Sequence, residues 1–386
     1  LAEDHHATPL LIARLLSELA ALSHAERLRA VEGERRFHSR DLCRLLLEES
    51  RKAAFLDGSL GVDWASLAVR VAGHLGPEPG AASTAALPTE KLAAVRAEAL
   101  ATLGNAYRVI GELRAAEECF LSAEQLLALP GVTTPALLGE VRSLAASLRL
   151  AQRRLPEARE QVRFALAAAA DAGDRHQAGK LLLQEAKIVE EEGDLAAAAG
   201  LLRDAAAAID PEAEPELYRI ARFNLLGVLL RQGRHDEAEA LFPAVAPLFA
   251  GEPAESTHRL RLRWSEGLIA RGFHRLDEAE EALLEVQREL VRRQMGYDAA
   301  LVAIDLGMIY LETGAAKPLR RLAADLLPVF AAKDLSKEAF ACLLLYQDAC
   351  KSARLTSRLA RELALFMRED RQRPPSLKVA FHDTVE

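Results

Sequence analysis

Aromatic residues are scarce in this chain, 5% of 386 residues with two tryptophans, which removes much of the vocabulary that strands are built from. Basic residues are outnumbered, 49 Lys and Arg against 57 Asp and Glu, for a formal net charge of −8. A dedicated nucleic-acid binder needs a basic face to displace counterions from phosphates, so the balance argues against nucleic acid as partner and leaves room only for a local basic stripe. The four cysteines, Cys43, Cys119, Cys342 and Cys350, lie far apart with no CxxC. That excludes a disulfide scaffold and suits reduced thiols in a cytoplasmic protein. No apolar run approaches the ~20 residues that span a bilayer, and no basic start followed by an apolar core marks a signal peptide. GxSxG, Walker, GxGxxG, HExxH and EF-hand patterns are missing as well, so no catalytic residue, cofactor or metal is expected. The chain begins at Leu1 without a Met, which leaves room for an effector domain outside it.

What the sequence has in quantity is Ala and Leu, in runs such as LAAAAGLLRDAAAAID at 195–210, a helix-forming composition. The stretch LATLGNAYRVIGELRAAEECFLSAEQLLALP at 100–130 reads as two helices with a hinge. Leu100, Leu103, Gly104 and Tyr107 share one face at i, i+3, i+4 and i+7, Gly111 breaks the helix, and Ala116, Phe120 and Ala123 mark the second helix. Gly104 and Ala116 are small where paired helices approach closest. The second-helix signature returns at Ala158, Ala198, Ala238, Ala279 and Leu319, in steps of 42, 40, 40, 41 and 40 residues from Ala116.

This pattern resembles the tetratricopeptide (TPR) repeat, with Leu100 in its Trp place and a period longer than the usual 34, as in TPR-like arrays of bacterial regulators. The resemblance covers roughly 90–370 and implies an all-α, right-handed α-solenoid of TPR-like helix hairpins with a concave surface lined by first helices. The expected organisation is N-terminal helices with a degenerate helix pair over 1–75, a Gly/Pro/Ala-rich loop over 76–89, the repeat array over 90–370 and a tail over 371–386. Pro374 and Pro375 keep that tail from being helical throughout.

The resemblance further implies a non-enzymatic protein- or peptide-binding scaffold, or alternatively the ligand-sensing domain of a bacterial signalling or transcription-regulating protein. Carrying the groove positions of the TPR pattern onto this sequence gives Glu98, Ala101, Asn105 and Arg108; then Glu140, Ser143, Ser147 and Leu150; then Lys180, Leu183, Lys187 and Glu190; then Ile220, Phe223, Gly227 and Leu230, with Arg231 beside it. No register is assigned to the next unit, because Gly272 to Ala279 is two residues longer than usual. Glu98, Asn105, Arg108, Lys180, Leu183, Lys187, Phe223 and Arg231 are the expected peptide-binding residues. Cations around Leu183 and Phe223 favour a partner both acidic and amphipathic. Asn105 and Lys180 are similar to two members of the carboxylate clamp of chaperone-binding TPR domains, but Ala101, Leu144 and Gln184 occupy other clamp places, so that function is not carried over.

Other candidates have ordinary explanations. Adjacent His5 and His6 diverge by about 100° on a helix and lack a third ligand in register. Cys342 and Cys350 are two helical turns apart and read as small core residues. His235 and His274 precede second helices, where they solvate or cap. HRLRLRW at 258–264 is the one compact basic cluster; the plain reading puts Trp264 in the core and the arginines in solvent, the functional one an anion contact. Over 24–54, acids and bases nearly balance, which argues against an isolated helix-turn-helix.

Overall fold

The computed structural model describes residues 9–54, 57–76, 87–132, 134–253, 255–325, 329, 336–352 and 354–371. His5, His6, most of the expected 76–89 loop and the tail beyond 371 lie outside the described residues. The described residues form α-helices and two short 3-10 turns, in two units that divide at 192/193.

The first unit holds α1 (Pro9–Ala20), α2 (His24–Gly33), α3 (Arg40–Ala53), α4 (Gly58–His74), α5 (Leu87–Val109), α6 (Leu113–Leu127), α7 (Pro135–Ala151), α8 (Leu155–Asp171) and α9 (Arg175–Glu191). Helices α3/α4, α5/α6 and α7/α8 are hairpins. Starts are set locally: Ser39, Asp57 and Thr134 each accept a backbone N–H of the first turn, and Pro135 follows Thr134 where no N–H is needed. The first helices α3, α5, α7 and α9 touch in succession, whereas α4, α6 and α8 pack on first helices rather than on one another. That places the first helices on the inner side of the unit.

The second unit holds α10 (Leu195–Ala208), α11 (Pro215–Arg231), α12 (His235–Val245), α13 (Thr257–Gly272), α14 (Leu276–Arg292), α15 (Gly296–Glu312), α16 (Ala316–Asp325), α17 (Lys337–Lys351) and α18 (Ser357–Arg371). Here α11 touches α13 and α13 touches α15, again joining first helices. Pro243 lacks an N–H to donate, and α12 stops at Val245 and passes into a 3-10 turn, Ala246–Phe249.

The small residues behave as the periodicity requires. Ala116, Ala158, Ala198, Ala238 and Ala279 are fully buried and Leu319 nearly so. A Cβ built on Gly104 would lie 3.0 Å from the Phe120 ring and 3.2 Å from the Ala116 carbonyl, the close helix approach that the glycine permits.

The turn between first and second helix has its own period. Gly111, Arg153, Gly193, Gly233, His274 and Gly314 all have positive φ, between 58° and 89°. Arg153 and His274 thus take a backbone conformation that favours glycine. This also corrects the register at Gly272: the turn residue is His274, five before Ala279, while Gly272 is the last residue of α13. The His235 ring covers Gly272, where a Cβ would fall 2.2 Å from the ring. His235 therefore packs, rather than solvating or capping as its place in the sequence suggested.

Candidate functional site

On the first-helix faces, polar side chains reach from one hairpin to the next. In the first unit Arg51 of α3 lies 3.3 Å from Glu98 of α5 and 2.8 Å from Glu140 of α7. Burial raises the Glu140 carboxyl above its ordinary value against the pull of Arg51. Between α7 and α9, the Gln184 amide donates to the Ser143 carbonyl at 2.7 Å and to the Ser147 hydroxyl at 2.9 Å, and accepts from Ser143 Oγ at 2.9 Å.

Of the expected residues of this unit, Glu98 lies in the first of these networks, and Asn105, Arg108 and Lys187 make contacts within their own helices. Arg108 donates to Asn105 at 3.0 Å on its own helix, and burial lowers the guanidinium below its ordinary value. Lys180 and Leu183 are half-buried on α9. Lys187 is exposed, with Nζ 2.8 Å from Glu191 and 3.7 Å from Glu190. Glu191 is also paired with Arg153, and its side chain is only 4% exposed.

The second unit concentrates its charge differently. Trp264 of α13 donates its indole N–H to Asp305 of α15 at 2.9 Å. Arg271 lies 3.6 Å from Asp305 and 3.2 Å from Glu312. Only 13% of the Asp305 side chain is exposed, and burial raises its carboxyl above the ordinary value although Arg368, Arg271 and the Trp264 hydrogen bond oppose the shift. Burial also lowers the Arg368 guanidinium; Asp305 counters this and the nearby Arg231 charge adds to it. Arg231, Arg271 and Arg368 thus share a neighbourhood with Asp305.

Phe223 stands edge-on to Phe249, ring centroids 5.4 Å apart, and to His258 at 6.2 Å. It is half-buried in an aromatic corner that also includes the Arg219 guanidinium over Phe249. Trp264, Arg271, Asp305 and Arg368 were missed in the sequence. The signal for two of them was there, since Trp264 and Asp305 follow Phe223 at steps of 41 and 41.

The basic cluster at 258–264 is largely neutralised. Arg261 lies 3.3 Å from Asp298, and Arg263 lies 2.8 Å from Glu285 and 3.0 Å from Glu266. Burial raises Cys342 and Cys350 to about 11 and Cys43 to about 12, so these thiols are protonated packing groups. Among the described residues, no group of three or more His, Cys, Asp or Glu could hold a metal ion.

No family model matches the chain, and neither does any curated protein. Solved structures do. A Rap protein complexed with competence and sporulation factor has a TM-score of 0.54 at 11% identity, over 86% of this chain and 87% of that one. The apo form of the quorum sensor NprR from B. thuringiensis gives 0.52 at 12% identity, over 93% and 92%. Aspartyl phosphate phosphatase F from Bacillus subtilis gives 0.51 at 16% identity, over 84% and 88%. The chain has a TPR-like helical-repeat fold. The TPR-like hairpins explain why the polar rungs recur at the repeat spacing: equivalent first-helix positions of successive hairpins are neighbours. Among the described residues, no helix is long and apolar enough to cross a membrane.

Proposed function

We propose that this TPR-like chain is a non-enzymatic, cytoplasmic module that binds a protein segment or peptide on its first-helix faces. The observation that carries the reading is the set of polar rungs between consecutive first helices, Ser143 to Gln184, Trp264 to Asp305 and Arg271 to Glu312, each 41 residues apart. Such faces present amide, hydroxyl, carboxylate and guanidinium groups side by side, which is what an extended backbone needs as partners. In the first unit Glu98, Asn105, Arg108, Lys180, Leu183 and Lys187 are the contacts we assign; in the second, Phe223 and Arg231 are joined by Trp264 and Arg271, with Arg368 of α18 beside them. In the second unit the guanidiniums of Arg231, Arg271 and Arg368 favour a partner carrying acidic groups, with Phe223 offering apolar contact; in the first unit Leu183 offers it.

A second reading makes the chain a sensory domain whose ligand switches an effector. The likeness to a quorum sensor and to a Rap protein solved with competence and sporulation factor supports it. Both readings are tested by placing the photo-crosslinking residue p-benzoylphenylalanine at Ser147 and Leu183 on first helices, and at Glu160 and Ala167 on α8. Crosslinks to partners in a native lysate should concentrate at the first two positions. Equal yields at all four would remove the first-helix mechanism. A bound ligand that slows amide exchange over whole hairpins, rather than at contact residues alone, would favour the sensor.

A further inference from the structure

A cavity of about 570 Å³ lies between α14 and α16 in the second unit, with Tyr310 of α15 in its lining and none of the rung residues among its walls. Its α14 wall is one helical face: Glu280, Leu284, Gln287, Arg288 and Val291 succeed one another at spacings of three, four and one. Leu284 and Val291, with Pro318 from α16, make an apolar floor. Arg288, Lys317 and Arg321 supply three cations, and none forms an ion pair with a described residue. The one carboxylate in the lining, Glu280, accepts the Tyr310 hydroxyl at 2.9 Å. Three cations therefore face one acid.

Gln287 decides what the cavity is for. The residue is only 5% exposed, and its amide nitrogen is buried with no hydrogen-bond partner among the described residues. Buried polar groups in folded proteins are nearly always paired, because leaving one unpaired keeps its desolvation cost uncompensated. Gln287 lines the cavity, so a turn of its amide toward that space would let a ligand oxygen remove the cost, and the surrounding cations select an anionic oxygen. The volume is in the range of small-molecule sites.

We propose that this cavity is a binding site for a small organic oxyanion, a carboxylate or phosphate ester with an apolar body. Its charged head sits among Arg288, Lys317 and Arg321 and accepts from the Gln287 amide, while its apolar part rests on Leu284, Val291 and Pro318. The site is independent of the peptide-binding reading, since none of its residues belongs to the contacts assigned there.

The test uses the full chain and three ¹⁹F NMR probes: 4-fluorobenzoate, 4-fluorophenyl phosphate and the neutral 4-fluorobenzamide. Saturable line broadening is expected for at least one anion, with the benzamide at least about tenfold weaker, and the tighter anion identifies the head group. Lys317→Glu with Arg321→Glu should weaken that anion about tenfold or more at unchanged fold content. Gln287→Leu separates binding from structure. It should weaken the anion about threefold or more and at the same time raise the melting temperature, because an unpaired buried amide is replaced by an apolar group of similar size. The proposal is overturned if neither anion binds saturably, if benzamide binds as tightly, or if Gln287→Leu leaves anion affinity unchanged.

Discussion

The Trp264 indole nitrogen and the Asp305 carboxylate meet at 2.9 Å across two first helices, 41 residues apart in sequence. The carboxylate is mostly buried, and its Arg271 neighbour stands at 3.6 Å, beyond ordinary hydrogen-bond reach. Its ionised form is therefore under-solvated, which is the physical content of its raised pKa.

That shift has a sign for stability. A carboxyl whose folded pKa lies above its unfolded value favours the folded state most when protonated, so this contribution is present at low pH and lost as pH rises through the raised value. Asp305→Asn should therefore flatten the curve: from pH 4 to pH 7.5 the wild-type chain loses more stability, relative to the variant, than any shared background change. Chemical denaturation of both proteins at the two pH values measures it. A variant that loses stability faster than wild type over this range would contradict the burial argument.

Lys187 and Arg153 share Glu191, whose side chain is 4% exposed. Lys187→Glu should consequently cost about 1 kcal/mol of stability, by removing one partner of a largely buried acid and adding like charge. Combined with Lys180→Glu it should weaken peptide binding by about 2 kcal/mol. Arg153 is no neutral control for that experiment. Arg114, exposed on α6 and paired among the described residues only with Glu118, is one, and Arg114→Glu should leave both measurements within about 0.5 kcal/mol.

His274 holds φ at 58° in the turn where four equivalent positions are glycine. Removing the Cβ relieves roughly 1–2 kcal/mol of left-handed strain against roughly 0.5–1 kcal/mol of added chain entropy. His274→Gly should accordingly raise stability by about 0.5 kcal/mol, read as a higher denaturation midpoint with an unchanged slope.

The buried thiols make a chemical prediction. With Cys43 pushed up to about 12 and Cys342 and Cys350 to about 11, almost no thiolate exists at pH 8. Mass spectrometry after iodoacetamide treatment of the native chain should find these three unmodified, and modified within minutes once the chain is denatured. Rapid native labelling of Cys342 would show that α17 opens locally.

Much of the hairpin fold was legible because its signals are local and repeat. A helix pair that packs closely needs a small residue at one place, so Ala116, Ala158, Ala198, Ala238 and Ala279 recur whatever surrounds them. The turn was legible where it used glycine, and the unit where His274 stands instead was left without a register, since a side chain hides the positive φ that the backbone still adopts. The candidate contacts on single helices, such as Asn105 and Lys187, could be placed by period alone, but their neighbours could not.

By itself, then, the sequence determined the hairpin unit, its period and the small residues at which paired helices meet, because close packing and helical periodicity act over a few residues. Only tertiary structure decided that Trp264 meets Asp305, that Gln184 serves Ser143 and Ser147, and that Gln287 lacks a partner among the described residues at a cation-lined cavity. Those outcomes depend on the register between helices some 40 residues apart and on rotamers that packing selects, and neither leaves a local trace in the chain.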